Sequence, residues 1–259
     1  MNDARVAYTV AGGIARLTLN RPEKRNALDG ATVAALHAAI LDADADDDVG
    51  VIAIQGAGSD FCAGADLAQL ERIAEGAGPI ENLDDASALG ELFIRMRRAH
   101  KPIVALVHGS AIAGGAGLAT ACDLILATDD AVFGYPEVQL GFVPAMVMAL
   151  LRRTLGEKRA FELVARGDRI SARHALELGL VNRVFPRASF DDESHAYLRG
   201  LAARSASALR LTKRLLYGMD GMSFDEAIAR GAEVNVLARA TEDCRAGVRE
   251  FLARRRRDG

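Results

Sequence analysis

No run in the chain approaches the 18 or so consecutive apolar residues that a membrane span needs. Cysteine is scarce. Cys62, Cys122 and Cys244 are odd in number, scattered and far from any metal-ligand spacing, which argues against a disulfide framework and for inert thiols in a reducing compartment. Net charge is −3 over 259 residues, too balanced for a broad nucleic-acid footprint. The basic run Arg254–Arg257 stands at the end of the chain and reads as a solvated tail. The opening MNDARVAYTV has neither the basic segment nor the apolar core of a secretory signal. Chemistry-bearing signatures are missing too. No Gly-Lys-Ser/Thr follows the glycine cluster, the dinucleotide spacing Gly-x-Gly-x-x-Gly fails, and there is no Gly-x-Ser-x-Gly elbow. His37, His100, His108, His174 and His195 form no pair at a useful spacing. These absences predict a soluble, cytoplasmic protein without membrane, nucleic-acid or metal partners.

What is present is enough apolar material for a large core. Half of the residues are hydrophobic and 26% charged, which fits one large domain or a core with a smaller appendage. Arg5–Val10 and Ile14–Leu19 flank Ala11-Gly12-Gly13 as a hairpin. Asp29 is placed to cap a helix over Gly30–Ala45, with Val33, Leu36, Ile40 and Leu41 on one face. Strands are expected at Val49–Gln55, Ile103–Val107, Asp123–Thr128 and Val181–Phe185. Helices are expected at Leu89–Ala99, Gly141–Leu155, Glu157–Arg166 and Ser171–Leu178, whereas Glu71–Asp85 is polar, glycine-containing and weakly periodic and reads as a mobile surface segment. From about Asp192 every segment is helix-like, with Ser223 and Thr241 as caps. The chain therefore divides into an α/β core, 1–191, and a helical region, 192–259.

Two segments place small residues where a strand meets a helix: DFCAGADLAQL (Asp60–Leu70) and HGSAIAGGAGLATACDLILA (His108–Ala127). A strand passing through glycine to a helix N-terminus presents free N–H groups and the positive end of the helix dipole. Two such sites brought together can hold one oxygen that becomes negative during reaction; close helix–strand packing explains small residues equally well. Among titratable groups Glu137 stands out. It lies in FGYPEVQLGFVPA, an apolar loop held by Pro136 and Pro144, where desolvation raises a carboxyl pKa toward neutrality. A glutamate turned to solvent at a loop tip is the alternative.

In order and spacing, LNRPEKRNAL (Leu19–Leu28), DFCAGADL, HGSAIAGGAGLATACDLILA and FGYPEVQLGFVPA resemble the motifs of the enoyl-CoA hydratase/isomerase, or crotonase, family. GDRISARHALELGLVNRVF (Gly167–Phe185) and TEDCRAGVREFLARRR resemble the segments that follow in it, so the likeness spans nearly the whole chain. The resemblance implies a crotonase-like spiral of ββα units with a C-terminal helical trimerisation region, assembled as a trimer or as a hexamer of two trimers. It implies an acyl-CoA thioester substrate and no separate cofactor, coenzyme A being part of the substrate. Carried over by position, the N–H groups of Ala65 and Gly114 form an oxyanion hole, and Ala63, Ala65, Asp66 and Leu67 line the coenzyme A path. Lys24, Arg25 and Ala27 lie near its head group. A side chain at Gly114 is expected to obstruct the approach of the thioester.

The sequence departs from the family pattern at one catalytic position. Hydratases of the family use two glutamates, one three residues after the oxyanion glycine and one in the later Pro-Glu loop. Here the second is Glu137 and the first is Gly117. Glu137 would then act alone, either activating water for hydration of a 2-enoyl-CoA or moving a proton between carbons as in the Δ3–Δ2-enoyl-CoA isomerases. GGAGLATACDL with PEVQLGFVPA looks most like the branched-chain hydratases near methylglutaconyl-CoA hydratase, which favours hydration and implies branched-chain amino acid degradation. A non-catalytic crotonase-fold scaffold or RNA-associated protein is the alternative of another class. The acyl pocket is expected to be shaped by Glu71–Asp85, Leu89–Arg97 and Phe142–Met148, with Met146 and Met148 as lining or core.

Overall fold

The structure is a computed structural model and describes residues 5–66, 68, 71–72, 75–76 and 78–258. The chain opens as an antiparallel hairpin, β1 (Val6–Ala11) and β2 (Ile14–Leu19), turning at Gly12-Gly13. Helix α1 (Gly30–Ala45) begins where the sequence predicts, because the Asp29 carboxylate accepts the Thr32 N–H at 2.8 Å. It buries Val33, Leu36 and Ile40 while Leu41 stays 39% exposed. The strands β3 (Val51–Gly56), β4 (Ile103–Val107), β6 (Leu124–Thr128) and β9 (Arg183–Phe185) add in parallel to β2, giving one sheet in the order β1-β2-β3-β4-β6-β9. The buried run Ile103–Val107 and its neighbours are apolar on both faces, as expected of parallel strands covered on both sides.

A second, three-stranded sheet joins β5 (Ser110–Ile112), β7 (Val132–Gly134) and β8 (Arg169–Ser171), with β5 and β7 parallel. None of these strands was expected. Three residues are too few to show a period of two. The helix α2 (Pro79–Arg98) also corrects the reading of Glu71–Asp85, since it starts at Pro79, ten residues before the expected Leu89. Its buried residues, Leu92, Phe93 and Met96, all lie in its second half. The first half carries no apolar stripe, so no helical period was visible there.

Further helices are α3 (Gly114–Ala121), α4 (Ala145–Leu155), α5 (Glu157–Arg166), α6 (Ala172–Leu178), α7 (Phe190–Ala202), α8 (Ala206–Gly218), α9 (Phe224–Ala240) and α10 (Glu242–Asp258). Ser223 caps α9 in a reciprocal box with Glu226. The main core lies between one face of the large sheet, α1 to α6 and the small sheet. The opposite sheet face buries Ile14, Val51, Val104 and Leu126 under Phe190 and Leu198 of α7. The chain thus crosses the 191/192 division inside a helix that covers the sheet. Helix α8 is pinned to the core by Lys213, whose ammonium donates to the carbonyls of Met96 and Lys101 and pairs with Asp123 at 2.6 Å. Among the described residues no helix is long and apolar enough to cross a membrane.

Candidate active site

Three chain segments run side by side in register. Cys62 forms an isolated parallel bridge with Ala111 of β5: its N–H donates to the Ser110 carbonyl at 3.0 Å, and its carbonyl accepts the Ile112 N–H at 3.0 Å. Ala111 in turn pairs with Phe133 of β7. From this common row the three segments lead onward to Ala65, Gly114 and Glu137. The Ala113 N–H donates to the Gly134 carbonyl at 2.8 Å and keeps β5 and β7 together up to the start of α3.

Two backbone donors result. Leu28 donates its N–H to the Gly64 carbonyl at 2.7 Å, and Asp66 donates to the Leu28 carbonyl at 3.0 Å. Successive N–H groups of extended chain point to opposite sides, so that of Ala65 is directed away from Leu28. Gly114 is the first residue of α3, where an N–H has no acceptor within the helix. Ala113 reaches this helix start at φ +50, a conformation that costs an alanine roughly 1–3 kcal/mol. Gly64 takes φ +100, and a Cβ there would lie 2.9 Å from the Ile112 carbonyl oxygen. Both backbone segments are thus bent to bring the donors to one place, the wall of a cavity of about 620 Å³ that Ala63, Ala65, Gly114, Gly117 and Glu137 share.

The three glycines of α3 have different neighbours. A Cβ on Gly114 would meet no protein atom closer than the Leu28 Cδ1 at 3.7 Å, so packing within the chain does not itself require glycine there. The close approach belongs to Gly115, whose Cβ would lie 2.2 Å from the Cys62 carbonyl oxygen. At Gly117 a Cβ would stand 3.3 Å from Phe93 Cζ and 3.4 Å from Val147 Cγ2. The place of the missing carboxylate is bounded by hydrocarbon.

Glu137 opens a short 3-10 turn, Glu137–Leu140, and lines the same cavity. Its Oε2 is buried without a hydrogen-bond partner among the described residues, and burial pushes its carboxyl pKa above the ordinary value. The turn is held from both ends. Gln139 donates to the Gly167 carbonyl at 2.9 Å, and the Glu137 carbonyl accepts the Phe142 N–H at 2.9 Å. On the other side Tyr135 is fully buried, its hydroxyl 2.6 Å from Thr120 Oγ1, which donates to the Ala116 carbonyl at 2.7 Å. With the Thr120 proton committed to Ala116, Tyr135 is the donor, so the segment carrying Glu137 is fastened to the helix carrying Gly114. Tyr135→Phe is expected to cost about 1 kcal/mol in a denaturant titration. It should also lower kcat roughly tenfold with KM nearly unchanged, because the carboxyl and the N–H groups of Ala65 and Gly114 lose their fixed spacing.

Of the other described residues carried over from the family motifs, Lys24, Arg25, Ala27 and Asp66 are not among the lining of this cavity. The Arg25 guanidinium grips the Asp60 carboxylate through Nε and Nη2, both at 2.9 Å, and reaches Ser110 Oγ at 3.0 Å. This pairing holds the Asp60 carboxyl well below the usual carboxylate range. Asp66 is paired with Arg21 at 2.7 Å and accepts the Ala68 N–H. Ala27 is buried, and its carbonyl accepts from Arg21 Nη1 at 2.9 Å. Lys24 is exposed. Leu67 lies outside the described residues. Arg25 and Asp66 thus tie the Leu19–Leu28 loop to the Asp60–Asp66 segment, while Ala27 braces the loop itself; Arg21, Asn26 and Asp60 belong to the same network and are not singled out by the sequence. Asn26 donates to the carbonyls of Ala57 and Asp60, both at 2.8 Å. Met146 lines the cavity, whereas Met148 packs against the core.

Known proteins resemble this chain in sequence and fold. The family model described as enoyl-CoA hydratase/isomerase matches residues 9–258. A Thermus thermophilus protein named for enoyl-CoA hydratase is 42% identical over 244 residues, covering 94% of this chain and 96% of the relative. A 2,3-dehydroadipyl-CoA hydratase of Escherichia coli is 33% identical, covering 93% of each chain. The crystal structure of an enoyl-CoA hydratase from Mycobacterium smegmatis superposes with a TM-score of 0.91 at 30% identity, over 96% of each chain.

Proposed function

The chain belongs to the enoyl-CoA hydratase/isomerase family, whose members share the crotonase fold and act on acyl-CoA thioesters, and from that premise we propose that it adds water across the 2,3 double bond of an enoyl-CoA. The observation that carries the reading is the unpartnered, buried Oε2 of Glu137 in the same cavity as the N–H groups of Ala65 and Gly114. The thioester oxygen accepts from both N–H groups. The Glu137 carboxylate takes a proton from water as the water oxygen bonds to the β-carbon, and the π electrons move to the thioester oxygen as an enolate. Glu137 then returns the proton to the α-carbon and the carbonyl reforms. A donor aimed at such an oxyanion is worth roughly 3 kcal/mol of barrier. Coenzyme A enters as part of the substrate, its head group near Lys24, Arg25 and Ala27 and its path along Ala63–Leu67. The exposed apolar side chains of the helical region, among them Leu216, Phe224, Ile228, Val236 and Phe251, fit a homo-oligomer, trimer or hexamer.

One observation favours a second reading. The wall beside Gly117 is built from Phe93 and Val147 and offers no second acid. A single carboxyl facing hydrocarbon is also what a 1,3 proton transfer requires, taking a proton from the α-carbon of a 3-enoyl-CoA and returning it to the γ-carbon. Ultraviolet absorbance of the conjugated 2-enoyl thioester separates the two. Hydration removes that absorbance from crotonyl-CoA, and isomerisation creates it from a 3-enoyl-CoA. We expect the loss to dominate; absence of both changes, with acyl-CoA still bound, would point to the scaffold reading.

A further inference from the structure

The acyl half of the cavity has a chemical bias that membership of the family does not dictate. Its wall is built from Leu89 and Phe93 of α2, Ile112, Phe142, Val143 and Val147. The titratable side chains on it are Glu137 and Asp85, both acids, and no lysine, arginine or histidine lines it among the described residues. The neighbouring stretch 67–78 contains one cation by sequence, Arg72. Its guanidinium lies 3.9 Å from Glu81 at the surface. At Gly117, which lines the same cavity as Glu137, the space a side chain would enter is bounded by Phe93 Cζ and Val147 Cγ2. Leu140 and Val143 also line the cavity and are 68% and 71% exposed, so they offer apolar surface whose covering by an apolar group is favourable.

We infer that this cavity selects an uncharged, apolar enoyl group and rejects an acyl chain that ends in a carboxylate. A terminal carboxylate would leave water for hydrocarbon without a cation to pair it, in the company of a like charge. A terminal methyl would lie against Leu140 and Val143 at no such cost. The inference rests on the acyl-CoA reading above. It also sets this site apart from the methylglutaconyl-type acyl group that the motif resemblance implies, since that group carries a free carboxylate.

Hexanoyl-CoA and adipyl-CoA test it directly, having the same six-carbon chain with a methyl or a carboxylate at its end. Isothermal calorimetry on the intact protein is expected to show hexanoyl-CoA binding at least tenfold more tightly. Val143→Arg should narrow that ratio by supplying a cation to the cavity lining. Equal affinity for the two thioesters, or a preference for adipyl-CoA, overturns the inference. Neither ligand is an enoyl-CoA, so the outcome is independent of turnover. Failure of the hydratase reading would appear separately, as no turnover of hex-2-enoyl-CoA in a protein that still binds hexanoyl-CoA.

Discussion

Glu137→Gln is expected to lower kcat by roughly 10²–10⁴-fold, the range associated with removing a positioned general acid–base group. The substitution keeps the shape of the side chain, so acyl-CoA binding should change little and the loss should fall on kcat. At Gly117, the position where the family pattern has its other glutamate, the nearest side chains are Phe93 and Val147, neither of which can carry a proton. In the proposed mechanism the carboxyl acts first as a base, so wild-type kcat/KM should fall as pH drops through its pKa, which burial raises above the ordinary glutamate value. Stability responds with the opposite sign. A carboxyl whose pKa is raised on folding binds its proton more tightly in the native state, so the protein loses stability as pH rises from the unfolded to the folded value. Glu137→Gln should therefore melt higher than wild type above that window and alike below it. An inactive variant that is also more stable would identify a site shaped for chemistry at the expense of stability. Full activity in the variant would contradict the mechanism.

The second large effect is expected at Gly115 rather than Gly114. An alanine at Gly115 brings its Cβ to 2.2 Å from the Cys62 carbonyl oxygen and 2.7 Å from the Cys62 Cβ. The carbonyl belongs to the bridge with β5, where it accepts the Ile112 N–H, and cannot swing aside alone. Helix α3 must move away from the Cys62–Ala65 segment, and the two oxyanion donors separate with it. Overpacking of this kind costs typically 1–3 kcal/mol. Misplacing one donor costs roughly 10²–10³-fold in kcat. Gly115→Ala should therefore show both a lowered unfolding midpoint and a large kcat loss. Gly114→Ala, with its nearest neighbours at 3.7 and 4.0 Å, should retain its fold and most of its stability. Calorimetric melts beside steady-state rates for the two variants measure the difference. Equal effects at the two glycines would show that the contact with Cys62 does not set the donor spacing.

Much of the architecture is written locally. Asp29, Ser171 and Ser223 mark helix starts that the structure places within a residue of expectation, because a capping side chain acts on backbone two or three positions away. The small sheet was not legible. Strands β5, β7 and β8 are three residues each and gain their meaning only from pairing with one another and with Cys62. That pairing explains why two glycine-rich segments 49 residues apart present their donors together. The cluster in α3 showed that a close approach was needed, and position-by-position transfer from the family put the donor at Gly114. Which glycine the packing requires depends on Cys62, which sequence spacing does not place beside it. Likewise Gly117 announced a missing carboxylate, but the filling of its space by Phe93 and Val147 depends on two helices, α2 and α4, that meet only in the fold.

The central claim is that one thioester oxygen is held by the Ala65 and Gly114 N–H groups with the Glu137 carboxyl poised over the α- and β-carbons. A crystal structure with a non-reactive acyl-CoA analogue tests it most directly. The account predicts the thioester oxygen about 2.7–3.1 Å from both nitrogens. It predicts a Glu137 oxygen within about 3.2 Å of the α-carbon or of a water facing the β-carbon. A thioester bound with its oxygen away from both N–H groups, or with Glu137 turned out of the cavity, would contradict it.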